Sequence, residues 1–390
     1  MPTVTLTPPD DSRMTPDERR SAFSLSSIYA LRMLGLFMVM PVFMLEARHY
    51  EGGDDLSAIG MAMGVYGLVQ AVLQIPFGMA ADRFGRKRMM LTLYPLFGIA
   101  ALACSLAPTY AWLMTARVAS GFFGGVLMAL SQTIVAEVIP FERRGRAMSV
   151  VMTSFSVATV AGVPLALFLA SSFNWHAPFL AIALMVSVFA LGALKTLPSL
   201  KGHVQAPSDD GSAPSILANL RLVLVDPNHL RAYAMSSSLV FAGFVVIPYI
   251  TLYLQANAGF QSEQIPYVYL CGGVCTLISA RFIGHWSDRA GKAYAFRRLA
   301  VLMPLPLLAM TLSADLPMAG VLVVSSILFV VMSGRMIPGM ALIGASADPR
   351  RRGSFMTLNS AVQSLAMGLA ALVGGQILGR DGNGHLTHYW

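Results

Sequence analysis

Charge is scarce in this chain. Only 12% of its 390 residues are Asp, Glu, Lys or Arg, about half of what a soluble globular chain carries. Cysteine is scarcer still: Cys104, Cys271 and Cys275 all fall in apolar runs. They form no disulfide framework and say nothing of redox compartment. Cys271 and Cys275 are four apart, but no His or third Cys lies nearby to complete a soft-metal set. Of the 19 Asp and Glu, none sits at the middle of an apolar run, and no His does. A deep carboxylate is the simplest proton carrier in a membrane, so no such route is visible. No nucleophile–base pair appears within the runs either, which argues against an enzyme. A secretory signal is missing: residues 1–20 are polar, and the first apolar run is too long for a signal core.

What is present in quantity is apolar surface. Ala, Val, Ile, Leu, Met, Phe, Trp, Tyr and Cys make up 56% of the chain, and the mean hydropathy is +0.64. A chain of this length cannot bury that much in a water-facing fold, so a soluble protein and a disordered one are both excluded. Eleven runs are long enough to cross a bilayer: about 23–45, 57–80, 89–107, 110–136, 147–170, 176–196, 231–254, 265–284, 297–313, 317–341 and 355–379. They lack the alternation of barrel strands and must be helices, because open backbone cannot face lipid. The ninth run is short and carries Pro304 and Pro306.

The net charge of +8 is written as topology. With the N-terminus placed inside, 21 of the 27 Lys and Arg fall on inner segments and only Arg48 and Arg380 on outer ones. Arg32, Arg117, Arg281 and Arg335 lie within runs. The asymmetry predicts a cytoplasmic N-terminus; a bacterial inner membrane is the expected setting. It also removes nucleic acid as an expected partner, leaving the lipid bilayer and a small-molecule substrate. A monomer is expected.

The chain divides into a polar tail at 1–22, a first bundle at 23–196, a Pro-, Gly- and Ser-rich inner linker at 197–230, and a second bundle at 231–390. A repeat supports the division. Gly78-x-x-x-Asp82-Arg83-x-Gly85-Arg86-Lys87 follows the second run, and Gly284-x-x-x-Asp288-Arg289-x-Gly291-Lys292 follows the eighth. Arg143-Arg144-Gly145 opens the fifth run and Arg351-Arg352-Gly353 the eleventh. Two copies starting on the same side form a parallel repeat. The second copy shows five of six helices, which sets the expectation of a further helix beyond Trp390.

The first of these repeated motifs resembles the signature loop of the major facilitator superfamily. Arg117-x-x-x-Gly121 is similar to the second signature of its twelve-span drug:proton antiporter branch, and Gly162-Val-Pro164 matches that branch's antiporter signature in part. The stretch Leu31–Pro41 resembles exporters of the YajR type, while the later spans look more like arabinose-type and metabolite efflux permeases. The resemblance implies an all-α membrane protein of two six-helix bundles that rock about a midplane cavity. It implies export of drug-like or amphipathic molecules in exchange for protons, with no other cofactor and no metal. It also implies a conformational latch at Gly78, Asp82, Arg83, Gly85 and Arg86, with Glu137 as acidic partner and Asp288 in the weaker copy.

The residues themselves leave several readings open. Arg32, Arg117 and Arg335 are costly in an apolar run unless they face a cavity or a partner. For Arg117, with Gly121, the resemblance implies a proton-coupling or cavity role, against that of a buried donor to carbonyls; Arg32 is read as a cavity residue, and Arg335 stays open between the two. Tyr66, Gln70 and Gln74 form a polar stripe, as do Asn359 with Gln363 and Tyr249 with Tyr253. Uncharged stripes suit a cavity for neutral or amphipathic solutes, or interhelical hydrogen bonds. Sugar or metabolite efflux, uniport and a membrane sensor that does not transport stay open beside antiport.

Overall fold

The computed structural model describes residues 27–28, 30–39, 42–43, 55–84, 86–138, 160–196, 223–347, 352–382 and 384–388; side chains at 78–87, 128–129, 131–138, 193–196 and 352–353 lie outside the description. Within these residues the chain is mostly helical. The helices are α1 (Ala30–Val39), α2 (Leu56–Phe84), α3 (Arg86–Ser105), α4 (Tyr110–Val138), α5 (Val160–Ser172) and α6 (Ala177–Thr196). After the linker come α7 (Pro227–Ala256), α8 (Ile265–Ala290) and α9 (Lys292–Thr311), then α10 (Met318–Ala345) and α11 (Arg352–Ile377). Seven described helices are long and apolar enough to cross a membrane. A short hairpin, β1 (Gly379–Arg380) with β2 (Leu386–Thr387), follows α11. The end of the molecule carrying the α2–α3, α8–α9 and α10–α11 turns is called the basic end below, and the opposite one the far end.

Two helices break where proline requires it. α7 is helical over Pro227–Phe244, tightens to a 3-10 turn at Ile247–Tyr249, and resumes over Ile250–Ala256; Pro248 cannot donate to the preceding turn. α9 stops at Leu302 and restarts at Pro304, which keeps the doubtful ninth run as one bent span.

Helices overrun the apolar runs at the basic end. α8 was expected to end near residue 284 and continues to Ala290, so Asp288 and Arg289 stand on its last turn rather than in a loop. The turn into α9 is Gly291 alone, at φ 94°, a conformation that glycine adopts without a Cβ penalty. Charge ends an apolar run, but it does not end a helix whose backbone bonds are internal.

Packing within the first half joins α2 to α4, and α3 to α4 and α6. In the second half α10 receives α7, α8 and α9, and α11 lies on α7. The halves meet chiefly along α2 and α11. A Cβ placed on Gly64 would stand 2.6 Å from the Gly368 carbonyl oxygen, and one on Gly67 2.8 Å from the Gly368 nitrogen. One on Gly60 would stand 2.8 Å from the Ala371 oxygen. The two backbones touch through glycine over the half of α2 nearer the far end. At that end Asn257 pins the hairpin: its Nδ2 donates to Leu386 O at 3.0 Å, and Leu386 N donates to its Oδ1 at 2.9 Å.

Candidate functional site

Arg117 lies on α4 about 10 Å from that helix's far-end start, at 1.5 Å per residue. It is 3% exposed. Three glycines of α4 set α2 against it: a Cβ on Gly121 would stand 2.6 Å from Tyr66 O, one on Gly124 2.7 Å from the Tyr66 hydroxyl, and one on Gly125 would strike the Gln70 side chain. The close approach slides the Tyr66 ring beneath the guanidinium, with Cζ 4.9 Å from the ring centroid. Nη2 also points at Met63 Sδ, 3.7 Å away. Among the described residues, neither Arg117 Nε nor the Tyr66 hydroxyl has a hydrogen-bond partner, and no carboxylate pairs with the guanidinium. Beside it is a cavity of about 20 Å³ reached by Gly35, Tyr66, Phe97, Cys104, Ser120 and Phe179. That is room for about one water molecule.

An arginine keeps its proton in any protein environment. Arg117 is therefore a fixed positive charge, softened by an aromatic face and hydrated at most by one or two waters. It can attract an anion or orient water, but it cannot itself carry a proton through the membrane.

A second set of polar groups lies between the halves. Gln70 and Gln74 on α2 are fully buried, as are Ser236 on α7 and Asn359 and Ser360 on α11. The antiparallel register of Gly60 with Gly375 and Gly67 with Gly368, carried toward the basic end, sets Gln70 and Gln74 level with Asn359 and Gln363. Gln363 Nε2 donates to Ser236 Oγ at 2.8 Å, tying α11 to α7. Both amide atoms of Gln74 and Oδ1 of Asn359 lack hydrogen-bond partners among the described residues. Each such group costs about 1–3 kcal/mol when left dry, so the layer is built to receive hydrogen bonds from water or a solute.

Other sequence-predicted residues are placed elsewhere. Arg32 is buried on α1 with Nη1 toward Met33 Sδ, and it does not line the Arg117 cavity. Arg335, on α10, donates from Nη2 to Leu239 O of α7 at 3.4 Å. Tyr249 is fully buried and donates to Ala371 O at 2.6 Å; Tyr253 donates to Thr311 O at 2.5 Å. The tyrosine stripe thus spends both hydroxyls on neighbouring backbone, one on α11 and one on α9. Gly162 faces Leu34 of α1, whose Cδ1 would be 3.0 Å from a Cβ there, and Pro164 follows half-buried on α5. Asp288 is exposed and has no ion pair among the described residues. The latch residues Gly78, Asp82, Arg83, Gly85, Arg86 and Glu137 lie outside the residues whose side chains are described.

Reading by motif missed two features. Gly124 and Gly125 complete the cradle begun by Gly121, and their signal was the small-residue spacing on α4. The glycine seam of α2 and α11 was written as Gly60-x-x-x-Gly64-x-x-Gly67, a spacing that lets membrane helices approach closely.

Residues 25–379 match the family model described as the Major Facilitator Superfamily. The inner membrane transport protein YajR of Escherichia coli (strain K12) is 29% identical over 264 residues, which is 67% of this chain and 56% of YajR's own length. An uncharacterized MFS-type transporter of Bacillus subtilis (strain 168), YbcL, is 26% identical over 83% of this chain and 80% of its own. In structure, a bacterial homologue of the human lysosomal transporter Spinster, solved inward-facing and unoccupied, superposes with a TM-score of 0.74 at 16% identity, covering 94% of this chain and 83% of that one. The helical architecture and a family match over nearly the whole length agree: this multi-pass membrane chain belongs to the major facilitator superfamily.

Proposed function

We propose that this transporter exports small organic molecules, drug-like or amphipathic, across the bacterial inner membrane by alternating access, in exchange for protons. The observation that carries the reading is the buried amide layer between α2, α7 and α11, with open hydrogen-bonding capacity at Gln74 and Asn359 and the fixed charge of Arg117 in the same half as Gln74. Uncharged amides hold neutral or amphipathic solutes without the desolvation cost of burying an ion pair. One proton crossing 150 mV supplies about 3.5 kcal/mol, enough for roughly 300-fold accumulation. A second reading, a sugar or metabolite efflux facilitator, draws on the same layer and on the lack of a carboxylate at Arg117 among the described residues. Vesicles containing the purified protein and a pH dye decide between them. An accepted solute that dissipates an imposed pH gradient supports antiport, and solute flux without pH change supports the facilitator. No flux from a panel of dyes and sugars overturns transport itself.

The orientation proposed from charge places the N-terminus and the 197–230 linker in the cytoplasm. A single cysteine at Ser208 is expected to resist a membrane-impermeant maleimide in intact cells, and one at Asp54 to react. Labelling of the Ser208 site from outside would reverse the assignment.

The signature loop is proposed to latch the halves. Asp82→Asn keeps the side chain's shape and removes charge-assisted bonds worth about 1.5–3 kcal/mol each, so transport per folded molecule should fall about tenfold or more. Asp288→Asn should cost less, because that carboxylate is exposed and unpaired among the described residues. Equal, small effects of both would reduce the loop to a topology signal.

A further inference from the structure

The second copy of the signature motif has a surface of its own. Helix α9 presents Val301, Leu305, Leu308 and Leu312 to the outside of the bundle, with Val301 79% exposed. Their spacing of three and four residues makes one lipid-facing stripe. Carried back toward the basic end, the same stripe passes through Arg298 and Tyr294, both exposed. The Arg298 guanidinium folds back over the Tyr294 ring, with Cζ 5.1 Å from the centroid. From α8, Trp286 meets Tyr294 edge to face at 6.3 Å and 67°. One turn deeper, Phe282 is 72% exposed. Along α9 the apolar stripe ends at Arg298, whose guanidinium reaches back over Tyr294 toward the basic end, where Lys292 follows; a long cationic side chain carried this way brings its charge from the acyl region to the headgroup level.

The charge here is one-sided. Residues 281–298 contain Arg281, Arg289, Lys292, Arg297 and Arg298 against a single acid, Asp288. All six are exposed, and among the described residues none of the five cations has a carboxylate within ion-pair distance. His285, also exposed, is the remaining titratable side chain of the segment apart from Tyr294. A cluster of unneutralised cations beside interfacial aromatics fits a lipid phosphate better than it fits water alone.

We propose that Trp286, Tyr294 and Arg298, with Arg289, Lys292 and Arg297 adding positive charge at the same end, form a site for the headgroup of an anionic phospholipid in the leaflet at the basic end. Arg298 meets the phosphate, the ring of Tyr294 holds the guanidinium flat, and the acyl chains lie against the exposed side chains of Phe282 and Val301. Each basic residue near an anionic membrane surface is worth about fivefold in affinity, and an exposed cation–aromatic stack about two- to fivefold. The second copy of the repeat thereby ties the second half to the membrane surface.

The test leaves Trp286 as the sole tryptophan by replacing Trp112, Trp175 and Trp390 with Phe, and titrates brominated phosphatidylglycerol or brominated phosphatidylcholine into phosphatidylcholine vesicles. Quenching of Trp286 is expected at several-fold lower mole fraction of the anionic lipid. Arg298→Gln should cut that preference about fivefold and Tyr294→Leu about two- to fivefold. Arg231→Gln, which removes an exposed cation from α7 at the same end, should leave it within twofold. Native mass spectrometry of chains with all four tryptophans gives an independent readout: retained phosphatidylglycerol should fall in Arg298→Gln and persist in Arg231→Gln. Equal quenching by the two lipids, or equal losses from Arg298→Gln and Arg231→Gln, would overturn the site.

Discussion

Gly64→Val is expected to reduce transport about a hundredfold while leaving a folded, membrane-inserted protein. The added side chain would begin 2.6 Å from Gly368 O and 2.8 Å from Leu372 Cγ. The first of these neighbours is backbone and cannot rotate away, so α2 and α11 must part. Overpacking of this kind costs about 1–3 kcal/mol in ordinary cores and more where backbone is struck. A penalty near 3 kcal/mol shifts a two-state equilibrium by about 150-fold. Because each helix keeps its own backbone bonds, the loss falls on the state in which the far ends meet, not on the fold. Cysteines at Ser57 and Gln376, which line one far-end cleft, report that state through cross-linking, and their yield should drop with transport. Gly192→Val is the control, since no neighbouring element among the described residues comes within 4 Å of its Cβ position. Wild-type flux and unchanged cross-linking in Gly64→Val would show that the seam is not a transport state.

Arg117→Gln is expected to lower transport by about a hundredfold and to leave the melting temperature unchanged or about 2–4 °C higher. The reason is the same burial that marks the site. A guanidinium shut from water costs several kcal/mol unless paired, and no carboxylate pairs with this one among the described residues. A buried charge held by an aromatic face and by no carboxylate among the described residues points to a role in transport rather than in stability. Arg117→Lys keeps the charge and gives up the flat stack on Tyr66, so it should recover part of the flux. A purely structural arginine predicts the opposite pattern, with melting temperature and flux falling together and flux per folded molecule preserved.

Much of the architecture was legible before any packing was known. Where helix ends are described, the apolar runs mark them to within about six residues, because transfer into lipid is a sum over single residues and needs no partner. Their ends were less legible at α8, where the apolar run closed at residue 284, ahead of Asp288 and Arg289, although the helix had six residues to go. The glycine of the repeated turn was legible at Gly291, since a φ of 94° asks for glycine in any context. Arg32, Arg117 and Arg335 were all marked as costly, but nothing local told them apart.

Their separation came from the tertiary structure. Arg117 meets a ring and a cavity, Arg335 meets a carbonyl of α7, and Arg32 turns Nη1 to Met33 Sδ on its own helix. These outcomes depend on the rotation of each helix about its axis and on how closely its neighbour approaches, and Gly121, Gly124 and Gly125 set that approach for Arg117. The three polar stripes were equal in sequence as well. Packing gave the tyrosine hydroxyls to the backbone of α9 and α11, and left the Gln74 amide and Oδ1 of Asn359 without partners among the described residues. Sequence by itself determined which segments leave water and where charge forces the chain to turn, because those are properties of one residue in one solvent. Only the folded packing decided which buried polar groups are satisfied, because a hydrogen bond needs two groups brought within about 3 Å from distant parts of the chain.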